Sequence, residues 1–150
     1  MLSRRGFVAG VAGLLIAGRR TGWAEAPTAI TVYKSRSCGC CAKWVDHLTS
    51  QGFKPLVHDE EEMDRLKDEL GVPTTVRSCH TALVGGYLIE GHVPAADIRK
   101  LLSDRPKARG LAVPGMPGGT PGMAESESAM GGFEVLAFQS DGSTRSFARH

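Results

Sequence analysis

Three of the four cysteines in this 150-residue chain stand within four positions, in the stretch Ser-Cys-Gly-Cys-Cys at residues 37–41. The stretch follows a β-rich run at residues 29–33 and precedes Trp44, Val45 and Leu48, which have the spacing of a helix face. The cysteines are therefore expected at a strand-to-helix turn, where open α/β sheets gather ligands. A helix N-terminus also stabilises thiolates through its free amides and positive dipole end.

The next segment predicts a second strand followed by an amphipathic helix. Residues 54–59 match a short strand, and Asp59 with Glu62 three positions later has the spacing of a capping box. Gly71 is typical of a helix end. The apolar face of this predicted helix consists of Met63, Leu66 and Leu70.

The second half of the chain completes a layered pattern. Residues 81–91 predict a hairpin through a central Gly-Gly pair, and Pro94 is placed to open a third helix. Strand, helix, strand, helix, hairpin and helix is the order of the thioredoxin core, so residues 25–150 are predicted to form one α/β domain with a small mixed sheet flanked by helices. Residues 110–132 are rich in Gly, Pro and Ser and predict a long loop, and residues 133–150 predict an appended β-hairpin.

The N-terminus has the pattern of an export signal. Arg4, Arg5 and Phe7 precede an apolar run as in the twin-arginine motif, so residues 1–24 are predicted to be a twin-arginine-type signal peptide. An ordinary secretory signal or an uncleaved anchor is the alternative. The apolar run is too short to cross a bilayer, and no later run is long enough. Export predicts a periplasmic location, where thiols can be oxidised.

The charge balance argues against nucleic acid as a partner. The chain has 18 basic and 16 acidic residues, a net charge of +2, but four of the arginines belong to the predicted signal peptide. Without that segment 14 basic residues face 16 acidic ones, a net charge of −2. A chain of this balance lacks the basic surface with which proteins bind nucleic acid.

The fourth cysteine is expected to join the first three. Cys79 precedes the third predicted strand and is followed by His80. In the thioredoxin arrangement this strand runs antiparallel to the first, so its start lies at the edge of the sheet where residues 37–41 lie. Four sulfurs and an imidazole are thus predicted in one neighbourhood.

Three chemistries fit such a set of thiols. Cys38 and Cys41 have the C-x-x-C spacing of disulfide exchange and are the predicted catalytic pair, although Cys40 is surplus to that reaction. Four cysteines suffice by count for tetrahedral zinc or an iron–sulfur centre, but three of them in C-x-C-C reach separate corners of one tetrahedron awkwardly. Copper(I) prefers soft thiolates and accepts two or three ligands, and crowded thiolates can bridge several such ions. A pair of structural disulfides remains a further interpretation.

Other donors are less constrained by the sequence. Met116 and Met123 carry thioethers that suit copper(I), and Met116 is included among the predicted ligands. Filling a gap under a loop is the alternative role for either methionine. His92 is interpreted either as a ligand or as a residue that caps the third helix.

Several motifs together closely resemble the CopG-like family of bacterial copper-resistance proteins, long described as a domain of unknown function. They are the C-x-C-C turn, SCHTALVGGYLIEGHVPAADI and GLAVPGMPGGTPGM, and the resemblance runs from Ile30 to the C-terminus. It implies an exported thioredoxin-like protein that binds copper through cysteines, works alongside periplasmic copper-handling proteins and interconverts copper oxidation states. The residues that match the family's thiols are Cys38, Cys40, Cys41 and Cys79, and His80 follows the fourth.

The sequence thus favours a periplasmic protein that holds copper(I) at these residues, in a site able to take one or several ions, and exchanges electrons with it. Two other functions remain open at this point. The first is a copper buffer or chaperone without turnover. The second is a thiol–disulfide oxidoreductase acting on proteins, for which Cys40 would be dispensable.

Overall fold

One seven-stranded sheet organises residues 26–150, which are the residues described by the computed structural model. In chain order its strands are β1 Thr28–Lys34, β2 Phe53–Asp59, β3 Thr81–Val84, β4 Tyr87–Glu90, β5 Gly110–Ala112, β6 Glu134–Phe138 and β7 Thr144–Arg149. The helices are α1 Gly39–Ser50, α2 Met63–Leu70 and α3 Ala95–Asp104, with 3-10 turns at Thr74–Val76 and Glu127–Ala129. The predicted signal peptide, residues 1–24, lies outside the described residues.

The strand order across the sheet is β2-β1-β3-β4-β5-β6-β7. β1 and β2 are parallel and are joined through α1, whereas β3 is antiparallel to β1 and forms a hairpin with β4. The hairpin turn is made by Gly85 and Gly86, whose φ angles of 56° and 87° are accessible to glycine at low cost. This arrangement confirms the predicted thioredoxin-like α/β fold.

Two apolar clusters cover the two faces of the sheet, because successive strand residues point to opposite sides. The larger cluster lies under α1 and α3 and includes Trp44, Leu48, Ile98 and Leu101, each fully buried. The smaller one lies on the other face and is made by Val72, Val76, Leu88, Ala112 and Phe138. Because apolar clusters pack against both faces of the sheet, the C-terminal end of β1 has a fixed position.

Residues 110–132 were expected to form a long loop, but the segment begins with a β-strand. Its first three residues form β5, which pairs in parallel with β4 and antiparallel with β6. Gly110 allows this close pairing, since a Cβ there would lie 1.9 Å from the carbonyl oxygen of Leu88. β5 therefore joins the appended β6–β7 hairpin to the main sheet.

The capping box expected for α2 is wrong. The helix begins at Met63 and Glu62 caps it without a side-chain hydrogen bond, while Asp59 remains the last residue of β2, where it pairs with Lys34 and Arg36. Met63, Leu66 and Leu70 are half-buried, and Lys67, which shares their face of the helix, is the buried residue of α2, at 2% exposure. No helix in the described part of the chain is long and apolar enough to cross a membrane.

Candidate metal centre

The first three cysteines open α1. The chain leaves β1 at Lys34 and turns, and the Cys38 amide donates to the carbonyl of Ser35 at 3.1 Å. Cys38 has an extended backbone as the residue before the helix, and its own carbonyl accepts from the amide of Ala42 at 3.2 Å. Cys40 and Cys41 consequently fall in the first helical turn, close to its free amides.

Two of these cysteines are joined in the structure. Cys38 and Cys41 form a disulfide with their Cα atoms 5.3 Å apart, whereas Cys40 and Cys79 are free thiols. Cys41 is fully buried, while the other three are half-buried. The Cys40 sulfur lies 3.5 Å from the Cys38 sulfur, within reach of the disulfide. The helix opening thus presents a disulfide with a free thiol, that of Cys40, beside it.

The fourth sulfur belongs to Cys79, just before the neighbouring strand β3. β3 runs antiparallel to β1, with Tyr33 opposite Thr81, so the residues just before β3 lie beside the C-terminal end of β1. The sulfurs of Cys38, Cys40, Cys41 and Cys79 all lie within 4.8 Å of one another. The expected meeting of the four thiols at one edge of the sheet is therefore what the structure shows.

Two buried histidines adjoin Cys79 on its inner side. The Cys79 sulfur is 3.3 Å from Nδ1 of His80 and 3.1 Å from Nε2 of His92, and both rings are fully buried. Cys79, His80 and His92 form a second group of donor atoms within 4.8 Å of one another. Cys79 is thus common to an all-sulfur group and a sulfur–nitrogen group.

The orientation of His92 is fixed by a backbone carbonyl. Its Nδ1 lies 2.6 Å from the carbonyl oxygen of Pro121, which can only accept, so Nδ1 carries the proton and donates. The Nε2 atom therefore keeps its lone pair, and this atom faces the Cys79 sulfur. A second hydrogen bond of this kind is how proteins fix the tautomer of a metal-binding histidine.

Burial keeps both imidazoles neutral. Desolvation lowers the pKa of His92, and it lowers the pKa of His80 well below the usual range, with the neighbouring His92 and Lys67 acting in the same direction. The His80 Nε2 atom has no hydrogen-bond partner among the described residues, although the His80 ring lies 4.3 Å from that of Trp44. A neutral ring with an unpartnered buried nitrogen fits a position beside a cation.

The segment after β5 covers the site from outside. Met116 lies over it with its sulfur 3.9 Å from that of Cys40, and its side chain is 53% exposed. Farther on, Gly122 (φ +88°) is packed so closely that a Cβ there would lie 2.8 Å from the Cys40 carbonyl oxygen and 2.9 Å from the Trp44 nitrogen. Met123 is half-buried in the turn that follows, where its amide donates to Thr120.

The predicted site residues thus meet with one important addition. The residues proposed as ligands from the sequence, Cys38, Cys40, Cys41, Cys79, His80 and Met116, lie around one another. His92 belongs with them, and its alternative role as a helix cap is not what its contacts support, since its ring contacts Cys79 and Pro121. The hairpin register could have indicated this position. Glu90 pairs with Thr81, so His92, two residues after Glu90, comes opposite Cys79, two residues before Thr81.

The thiol of Cys79 is expected to stay protonated at neutral pH in the metal-free protein, and therefore to react slowly. Burial first, and then the neighbouring Cys40, raise its pKa from 9.0 to about 11. At pH 8 its thiolate fraction should be on the order of 100-fold below that of an ordinary thiol, so alkylation by iodoacetamide should be slow. Its rate should rise about tenfold per pH unit up to about pH 10.

Mass spectrometry of the Cys79 peptide over a pH series measures this rate. The same series in denaturant is the control, because unfolding removes the burial that raises the pKa. A folded-state rate that levels off near pH 9, as it does in denaturant, would contradict the raised pKa.

Known structures match the chain over most of its length. Two solved structures of the copper resistance protein CopG, form 1 and form 2, are 43% and 44% identical to it, with TM-scores of 0.74 and 0.75. Each comparison covers 83% of this chain and 98% of the solved one. A family model described as a protein of unknown function, DUF411, matches residues 76–123. No curated protein matches the sequence. At this identity and coverage, the chain belongs to the CopG copper-resistance family.

Proposed function

We propose that this protein binds copper(I) in a cysteine site and interconverts copper(I) and copper(II) as part of copper resistance. The observation that carries the proposal is the group of four sulfurs within 4.8 Å, three from the opening of α1 and one from the start of β3. Relatives that are copper resistance proteins, at 43% and 44% identity, support copper as the ion.

The donor set favours a soft ion. Thiolate and thioether sulfur prefer copper(I), and thiolates can bridge two or more such ions, which suits sulfurs as crowded as those of Cys38, Cys40 and Cys41. Zinc and iron–sulfur centres fit less well, because three ligands within one helical turn cannot easily occupy separate corners of a tetrahedron.

The inner histidines and Met116 extend the proposed set. The lone pair of His92 Nε2 faces Cys79, and imidazole is a good ligand for copper in both oxidation states. Met116, beside Cys40, offers a thioether at the exposed side. The proposed ligands in the dithiol state are Cys38, Cys40, Cys41, Cys79, His80, His92 and Met116, and Cys38 and Cys41 leave this set when they form the disulfide.

The Cys38–Cys41 pair supplies the electrons in the proposed redox step. Each of two copper(II) ions accepts one electron, while the two thiols lose two electrons and two protons and form the disulfide. The reverse step returns the pair to dithiol and the ions to copper(II). Cys40 and Cys79 remain free thiols in the disulfide state, and with the histidines they would hold copper(I) there.

Fully reduced protein should therefore reduce copper(II) without air. About two copper(II) ions per chain should become copper(I) as two thiols are lost, because disulfide formation is a two-electron couple. A chromophoric copper(I) chelator and a thiol titration measure both quantities, and peptide mapping identifies the Cys38–Cys41 bond. A Cys38→Ser variant should lose this reaction. Copper that stays divalent in the wild-type protein would contradict the redox proposal and leave a buffer or chaperone without turnover.

One observation favours a second function. The Cys38–Cys41 disulfide has the spacing of a thiol–disulfide oxidoreductase. That function predicts reduction of a protein disulfide such as that of insulin, with Cys40→Ser without effect. The copper proposal predicts instead that Cys40→Ser lowers copper capacity.

The place of action is part of the proposal. Residues 1–24 have the twin-arginine pattern, and we place the mature protein in the periplasm, in company with other copper-handling proteins. An exported protein can form the Cys38–Cys41 disulfide in that compartment.

A further inference from the structure

A buried polar network lies behind Cys79 and takes no part in the proposed copper chemistry. Lys67 of α2 forms an ion pair with Glu90 of β4 and also donates to the hydroxyl of Thr81 at 2.9 Å. The Thr81 hydroxyl donates in turn to the second carboxylate oxygen of Glu90 at 2.6 Å. The three residues are between 0% and 2% exposed.

The carboxylate of Glu90 connects this network to the cysteine. It accepts the backbone amide of Ser78 at 2.7 Å, and Ser78 directly precedes Cys79. Glu90 is also the last residue of β4, and the next amide, that of Gly91, donates to the carbonyl of His80 at 3.0 Å. One side chain thus ties together the two chain segments that carry Cys79, His80 and His92.

The packing between these segments is close. A Cβ at Gly91 would lie 2.5 Å from the Ser78 hydroxyl and 2.6 Å from its Cβ. The Ser78 hydroxyl is engaged as well, because it donates to the carbonyl of Gly115 in the covering segment. Ser78 is therefore held on three sides, and the Glu90 carboxylate is its anchor on the interior side.

Stability alone is a weak reason for such an ion pair. Burying two charges costs desolvation energy, and well-packed apolar residues in the place of a buried pair are often as stable or more stable. What apolar residues cannot do is accept the amide of Ser78. The charged pair does so with a carboxylate whose position Lys67 and Thr81 fix.

We propose that Lys67, Glu90 and Thr81 are positioning residues, which direct the Cys79 sulfur toward His92 and the other thiols by holding the Ser78 amide. The consequence for copper rests on the proposed function. The positioning itself is a property of the metal-free chain and can be tested without copper.

The test compares two double variants that differ at a single position. Lys67→Met with Glu90→Leu removes both charges together with the acceptor for Ser78. Lys67→Met with Glu90→Gln removes the same charges but keeps an amide oxygen for Ser78 and an amide N–H for Thr81. Both avoid an unpaired buried charge, which would destabilise the fold for a separate reason.

The first measurement is alkylation of the metal-free protein at pH 8 with the disulfide intact. Cys40 and Cys79 are the free thiols, so Cys40 serves as the internal control. Cys79 should react several-fold faster in the Glu90→Leu variant and at the wild-type rate in the Glu90→Gln variant, with Cys40 unchanged in both. A rise shared by Cys40 and Cys79, or no rise at either, would overturn the proposal, since the network would then be only structural.

The second measurement is copper(I) affinity by competition with a chromophoric ligand, using copper(I) alone as the probe. The Glu90→Leu variant should bind about 10- to 100-fold more weakly than the Glu90→Gln variant, as is typical when an outer hydrogen bond to a ligand is lost. Equal affinities in the two variants would overturn the positioning proposal. A wild-type protein that binds no copper(I) would overturn the proposed function, while the alkylation result would still decide the positioning.

Discussion

Replacing Cys79 by serine is expected to lower copper(I) affinity by at least about 10- to 100-fold, the range in which loss of even an outer partner of a ligand falls. The effect should be the largest of any single ligand, because Cys79 is the one residue that belongs to both donor groups. Serine keeps the size of the side chain but replaces a soft sulfur with a hard oxygen, which copper(I) binds poorly.

Copper(I) titration against a competing chelator measures the affinity and the number of ions bound. The Cys38–Cys41 disulfide is the control within the same variant, since its formation does not involve Cys79. The variant should still form this bond and fold. If its copper(I) capacity and affinity equalled those of the wild type, Cys79 would have no role as a ligand.

Replacing Gly122 by alanine should weaken both the fold and the site. The new Cβ would lie 2.8 Å from the Cys40 carbonyl and 3.2 Å from Nδ1 of His92, at a φ of +88° that side chains rarely adopt. We expect a loss of about 1–3 kcal/mol in the free energy of unfolding, from strain and overpacking. The displaced segment would also lose the hydrogen bond from His92 to Pro121, so copper(I) affinity should fall about tenfold.

A matched control is available in the same segment. A Cβ at Gly118 meets no atom within 4 Å, and its φ is not among the positive ones, so Gly118→Ala should leave both quantities unchanged. Thermal unfolding and copper(I) competition measure the two effects. Equal behaviour of the two alanine variants would mean that the covering segment does not hold His92.

The periodic parts of the fold were predictable from the sequence, because local patterns determine them. Trp44 and Leu48 recur at helical spacing and are fully buried, and the Gly-Gly turn of the β3–β4 hairpin lies where two short apolar runs meet. β5 could not be predicted, because a strand of three residues, Gly110–Ala112, is too short to show alternation. Its pairing with β4 and β6 is a tertiary effect.

The meeting of the thiols was predictable from the sequence, but the groups that orient the ligands were not. The meeting of Cys79 with the first cysteines follows from the antiparallel pairing of β3 with β1. The role of His92 depends on the carbonyl of Pro121, a backbone group 29 residues away that leaves no side-chain signal. Lys67 lies on the same face of α2 as Met63, Leu66 and Leu70, but a lysine there gives no signal of burial in the sequence. Its burial is explained by the ion pair with Glu90, a residue of another element.

The sequence distance between the parts of the site has a consequence for folding. Cys40 and Met116 are 76 positions apart, and the Pro121 carbonyl that orients His92 comes later still. An unfolded chain offers an ion only the local C-x-C-C thiols, because bringing the remaining donors together costs loop-closure entropy. An ion that needs the full set therefore binds the native state in preference to the unfolded ensemble. By linkage, such an ion raises the free energy of unfolding of the whole domain in proportion to the logarithm of its concentration. Binding at one edge of the sheet therefore stabilises every element of the fold.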